Sequence, residues 1–178
     1  MDSPSLQTYE RFCIVRRGTS WFAVPALSLR EVAAPSSLVA VPAAPAVVAG
    51  LCHQRNEFLV VLRLEVLAGE QVAARNDKSQ MLVLAGPHGS WGLLVDEVAG
   101  LQSLEVSVNA EAKQPDSWVA AVLGSATYDG KVVHVLDVNS LYRFAEYALG
   151  QSWQAAPIQP ERPGPVIPAV SADQGVPL

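Results

Sequence analysis

The chain repeats itself. Residues 46–67 shifted by 74 positions, the spacing of Gly50 and Gly124, fall on residues 120–141 without a gap. Identities occur at Ala46/Ala120, Val48/Val122, Gly50/Gly124, Val61/Val135, Leu62/Leu136 and Leu67/Leu141. Phe58/Val132, Leu59/Val133 and Leu64/Val138 stay apolar. Arg55-Asn56 lies over Asp129-Gly130. Both dipeptides suit a two-residue hairpin, because Asn and Gly tolerate positive φ. A second echo pairs Ser20-Trp21 with Ser90-Trp91, and Glu31-Val32-Ala33 with Glu97-Val98-Ala99. Its offset changes from 70 to 66, which implies about four extra residues in one copy near Pro25.

A repeat of this size limits the fold. Each copy holds about five short strands in roughly 70 residues, and a unit that small buries only about 60% of its unfolded surface. Two copies side by side bury each other's apolar flank. The expectation is two small β-barrels with a groove between them, able to present edges and loops to a partner.

The local patterns agree. FCIV, a polar break holding Gly18, then WFAV read as a hairpin. VAVPAAPAVV reads as an extended connector, since proline removes a ladder donor. FLVVLRL reads as a strand buried on both faces. Residues 65–80 and 107–117 read as polar loops. MLVLAGPHGSWGLLVDEV is strand–turn–strand about Pro87-His88-Gly89, and residues 132–138 form the last strand. Leu141, Phe144, Ala145, Ala148 and Leu149 lie on one helical face, with Asn139 or Ser140 as cap and Gly150 as terminator. Residues 1–9 read as a flexible arm, 10–150 as the folded domain and 151–178, rich in proline, as a disordered tail with polyproline-II character.

Charge and apolar patterning narrow the function. Half the residues are apolar, only 16% are charged and the formal net charge is −5. Nucleic acid, whose phosphates demand a basic face, is a poor partner for such a chain. No apolar run approaches the ~20 residues that span a bilayer. The start, MDSPSLQTYERF, lacks the pattern of a signal segment, so the cytoplasm is the expected compartment.

Two cysteines, Cys13 and Cys52, do not make a disulfide framework. Cys52-His53 is the one adjacent thiol–imidazole pair, but strand neighbours point to opposite faces. His134 and His88 lie elsewhere, and zinc wants about four well-spaced ligands. An enzyme is therefore the weakest reading. A free-standing ligand-binding barrel would need an internal pocket that FLVVLRL and GLLVDEV fill.

Five segments in order resemble the chemotaxis coupling proteins, the CheW-like domains. They are AVPALSLREVAAP, VPAAPAVVAGLCHQRN, FLVVLRL, GLLVDEV and GSATYDGKVVHVLDV. The resemblance runs from about Tyr9 to Gly150. It implies two intertwined five-stranded barrels of the SH3-like type, no catalysis, and no cofactor or metal. It implies two partners, the regulatory domain of a histidine kinase and the cytoplasmic tip of a chemoreceptor. Arg55 matches the family's receptor-facing arginine. Glu31 and Val32 match the segment lining the groove. Asn56 and Val98 complete the expected partner-binding set, Asn56 through turn geometry and Val98 by packing with Val95 between the barrels, and Asp96 and Asp137 brace turns. The chain departs from the pattern at Asn56 for glycine, Val60 for proline, Arg63 for an acidic residue and His53-Gln54 for Asn-Leu.

Overall fold

The computed structural model describes residues 11–35, 38–72, 78–109 and 116–154. The expected arm at 1–9, and the tail beyond 154, lie outside the described residues.

The apolar alternation of the first 25 residues forms β1 (Arg11–Arg17) and β2 (Ser20–Pro25), joined at Gly18 with φ 59°. A 3₁₀ turn at Ala26–Ser28 leads to β3 (Leu29–Ala33). The proline-bearing connector reaches β4 (Val48–Gln54) and pairs with it through a bridge from Val39 to Leu51. β5 (Glu57–Arg63) ends in α1 (Leu64–Leu67). Next come β6 (Gln80–Gly86), β7 (Gly89–Val95), β8 (Glu97–Ser103) and the two-residue β9 (Ser107–Val108). α2 (Trp118–Ala121), β10 (Val122–Tyr128), β11 (Lys131–Leu136) and α3 (Val138–Gln154) complete the domain.

The strands make two sheets, in the orders β8-β1-β2-β11-β10-β9 and β3-β6-β7-β5-β4. The 74-residue repeat is literal. In each copy the first strand pairs antiparallel with the second, Val48 with Leu62 and Gly50 with Val61, then Val122 with Leu136 and Gly124 with Val135. A bulge falls at the same place in both. The second strand then pairs in parallel with the second strand of a hairpin, Val61 opposite Gly92 and Val135 opposite Ala23.

The second echo needs correcting. Register places Ala23 over Gly92, Leu29 over Val98 and Glu31 over Gly100, a constant spacing of 69. No extra residues are needed, and Trp21 occupies the place of Ser90 rather than Trp91. Strands with period two and a small apolar alphabet align well when slipped. Hairpin turns and bulges set the true register.

Strand exchange ties the halves together. β3 follows the first hairpin but pairs with β6, and β8 follows the other hairpin but pairs with β1. The exchange is one for one; the short β9, added at the edge of β10, makes the sheets six and five strands where two sets of five were expected, and neither closes into a barrel. The largest apolar cluster joins both sheets. Val15, Phe22 and Val24 of one meet Leu62, Leu82, Leu93 and Val95 of the other, with Leu141 and Ala145 of α3. Each sheet also carries a smaller cluster of its own, around Ile14, Val133 and Val135, and around Leu59, Val61 and Met81.

Several local readings change. Residues 64–67 are a helical turn with Glu65 buried, where a polar loop was expected. The last strand stops at Leu136 because Asp137 starts the helix. Its carboxylate accepts the N–H groups of Asn139 and Ser140, both at 3.0 Å, so Asp137 does the capping expected of Asn139 or Ser140. Gly150 lies inside α3, which runs on to Gln154. β5 is not buried on both faces: Leu59, Val61 and Leu62 are, whereas Phe58 is 77% exposed.

Candidate functional site

Two elements converge on one rim of the five-stranded sheet. The β4–β5 turn carries Arg55 at φ 46° and Asn56 at φ 71°. Two successive positive φ values define the hairpin turn that follows strand twist. Asp129 and Gly130 repeat it at 48° and 70°. The second element is β3, whose bulge between Leu29 and Glu31 re-aims its side chains.

The turn and β3 meet through charge. Arg55 Nη2 lies 2.6 Å from Glu31 Oε2, and Gln54 Nε2 donates to Glu31 Oε1 at 3.2 Å. Arg55 is mostly in solvent, and Glu31 is largely covered. Arg30 donates to Ser90 Oγ beside them. These residues, with Glu57 and Leu59, line an open cavity of about 210 Å³. Asn56 sits in the turn itself. Val32, on the opposite face of β3 from Glu31, is 39% exposed. Val98 is not brought to this cavity. It belongs to β8 of the other sheet, packs half-buried on the shared core, and donates its N–H to Gln80 Oε1 at 2.9 Å.

The repeat explains why the cavity is open here. At the matching place in the other sheet stand Trp21, Tyr128 and Lys131, in place of Ser90, Gln54 and Glu57. Trp21 and Tyr128 meet at a tilt of 46° with ring centroids 6.2 Å apart, and Lys131 Nζ sits 5.3 Å from the Trp21 ring. Small and polar side chains leave the first copy hollow, and aromatic ones fill the second.

A charged strut braces this frame. Arg17, 1% exposed, donates to both carboxylate oxygens of Glu65, at 2.8 and 2.6 Å, and also to Asp96. Asp96 accepts the Gly18 N–H at 2.8 Å. The hydrogen bond from Arg17 to Glu65 raises the guanidinium pKa, against the opposing effect of burial. The brace joins the first hairpin, α1 and the β7–β8 turn. Asp96 and Asp137 thus hold the turns that they were expected to hold. Arg63, one of the departures, is also accounted for: its guanidinium donates to the carbonyls of Ala46 and Val48.

Sequence reasoning missed Arg30, Ser90 and Gln54 in the cavity, and the pairing of Arg17 with Glu65. The shift of one position in the second echo concealed Ser90. Strand alternation, which puts Arg17 on the same face of β1 as Cys13 and Val15, was the available signal for Arg17.

Cys52 is buried and His53 lies against Phe58 at 4.9 Å, on opposite faces as strand geometry requires. His134 packs on Phe22 at 5.9 Å. Burial raises the Cys13 thiol pKa. Among the described residues no helix is long and apolar enough to cross a membrane.

The CheW-like domain family matches residues 11–146, most of the chain, and the chain belongs to that family. Among solved structures it is similar to the crystal structure of the scaffolding protein TtCheW from Thermoanaerobacter tengcongensis. The TM-score is 0.66 at 17% identity, over 76% of this chain and 93% of that one. No curated protein matches.

Proposed function

We propose that this protein is a non-catalytic adaptor of chemotaxis-like signalling. It holds the cytoplasmic tip of a chemoreceptor and the regulatory domain of a histidine kinase together. It works in the cytoplasm, without cofactor, metal, nucleic acid or membrane insertion of its own.

One observation carries the reading. In a CheW-like domain, Arg55 and Glu31 are paired at the rim of an open cavity. Arg55 is the residue whose counterpart faces the receptor in the resemblance drawn above. An exposed ion pair is weak in water, about 0–1 kcal/mol, so a partner can exchange it at little cost. Asn56 fixes the turn that presents Arg55, and the exposed edge of Val32 adds apolar contact. Val98 packs on the shared core rather than touching the receptor.

Affinity capture from the native host tests this. The protein should retain a histidine kinase whose regulatory domain has the same fold, together with a methyl-accepting receptor. Capture of neither, with the adaptor folded and abundant, contradicts the proposal.

A further inference from the structure

A second hollow, about 330 Å³, lies between α3 and the β5–β7 face. Its walls are aromatic and aliphatic: Phe58, Val60, Trp91, Tyr142 and Leu149, with Glu146 as a charge at the edge. Phe58 and Val60 are the β5 positions left uncovered. Trp91 is 4% exposed, and its Nε1–H finds no hydrogen-bond partner among the described residues. An unpaired buried donor is costly, and an acceptor that reached it would recover that cost. Tyr142 stands edge-on to it at 5.7 Å.

Aromatic grooves of this kind suit polyproline-II peptides, which bring carbonyl acceptors, few donors and little entropy to lose. A proline-rich sequence follows α3 directly. Residues 155–178 hold six prolines, five of them in the run PIQPERPGPVIP at 157–168, and one cation, Arg162. From Gln154 back to Glu146 is eight helical residues, about 12 Å. The eight residues 155–162 extend up to ~25 Å as polyproline II. The chain can therefore turn and bring Arg162 level with Glu146. The tether keeps the effective concentration near the millimolar range.

We propose that the proline-rich segment 157–168 of this chain docks in its own α3/β5 groove, with Arg162 toward Glu146 and a peptide carbonyl on Trp91 Nε1–H. Seating requires the Tyr142 ring to move off the indole edge. The proposal does not depend on the partners named above.

Proton–nitrogen NMR of the full chain tests it. In the full-length variants P160G/P163G and R162E, the Trp91 indole signal and the Phe58 and Gly89 amides should shift by more than a linewidth. A synthetic peptide of residues 155–170 should return them toward their native positions in P160G/P163G. The exchange E146K/R162E should restore what R162E loses. Coincident spectra of the native chain and the tail variants overturn the proposal. So does a native spectrum that moves toward the variant one on dilution, because a second copy's segment would then be the occupant.

Discussion

Gly50 and Gly124, 74 residues apart, press the same bare edge against a backbone carbonyl. A methyl group on Gly50 would lie 2.4 Å from the Val39 oxygen, and one on Gly124 2.2 Å from the Ser107 oxygen. In each copy a short outer segment closes on the first strand of the repeat, and only glycine permits the approach. Gly50→Ala and Gly124→Ala should each cost about 1–3 kcal/mol. Thermal unfolding should show a loss of several degrees in both variants. Equal stability to the native chain in either would mean that the close approach is not part of the fold.

The Arg17–Glu65 pair is buried at both ends. Removing one partner strands a charge, so Arg17→Met should cost about 3–5 kcal/mol. The double variant R17M/E65L, apolar at both positions, should recover most of that, since Asp96 keeps the Gly18 N–H. Denaturant unfolding of the two variants measures the difference. A double variant as unstable as the single one would assign the brace some role other than charge compensation.

Tyr142 has its pKa raised, first by burial and then by its hydrogen bond to Glu146. A raised folded-state value favours the neutral phenol. Its contribution is complete below the unfolded value near 10 and is lost as pH climbs through the folded value. Stability should therefore fall above about pH 10, and Tyr142→Phe should flatten part of that fall. Unfolding curves between pH 8 and 11 compare the two, and parallel pH profiles would rule Tyr142 out as a source.

Much of the fold was legible because the repeat preserves turn chemistry. Arg55-Asn56 and Asp129-Gly130 announce the same hairpin, and the offset of 74 carries strands, bulges and helix start together. The second echo failed because Ser20-Trp21 and Ser90-Trp91 match as letters, whereas sheet register sets Trp21 over Ser90. A one-residue slip in a strand reverses the faces. Exchange of β3 and β8 between sheets was invisible, since nothing local marks which edge a strand joins. The helix end was misplaced for a related reason: Gly150 permits termination but does not enforce it, and α3 continues past it. At the candidate site, Arg55 and Glu31 came from motif resemblance. Their contact, and the cavity beside it, required the sheet.

The central claim is that the Arg55–Glu31 rim is a receptor contact and not part of the kinase interface. Binding of the purified chain to a receptor-tip fragment and, separately, to the kinase regulatory domain measures it directly by titration calorimetry. Arg55 is exposed, so Arg55→Glu should leave the unfolding midpoint nearly unchanged. Arg55→Glu should lose at least about tenfold in receptor affinity, about 1.4 kcal/mol, with kinase affinity retained. Unchanged receptor binding, or equal loss of both partners by a folded variant, contradicts it.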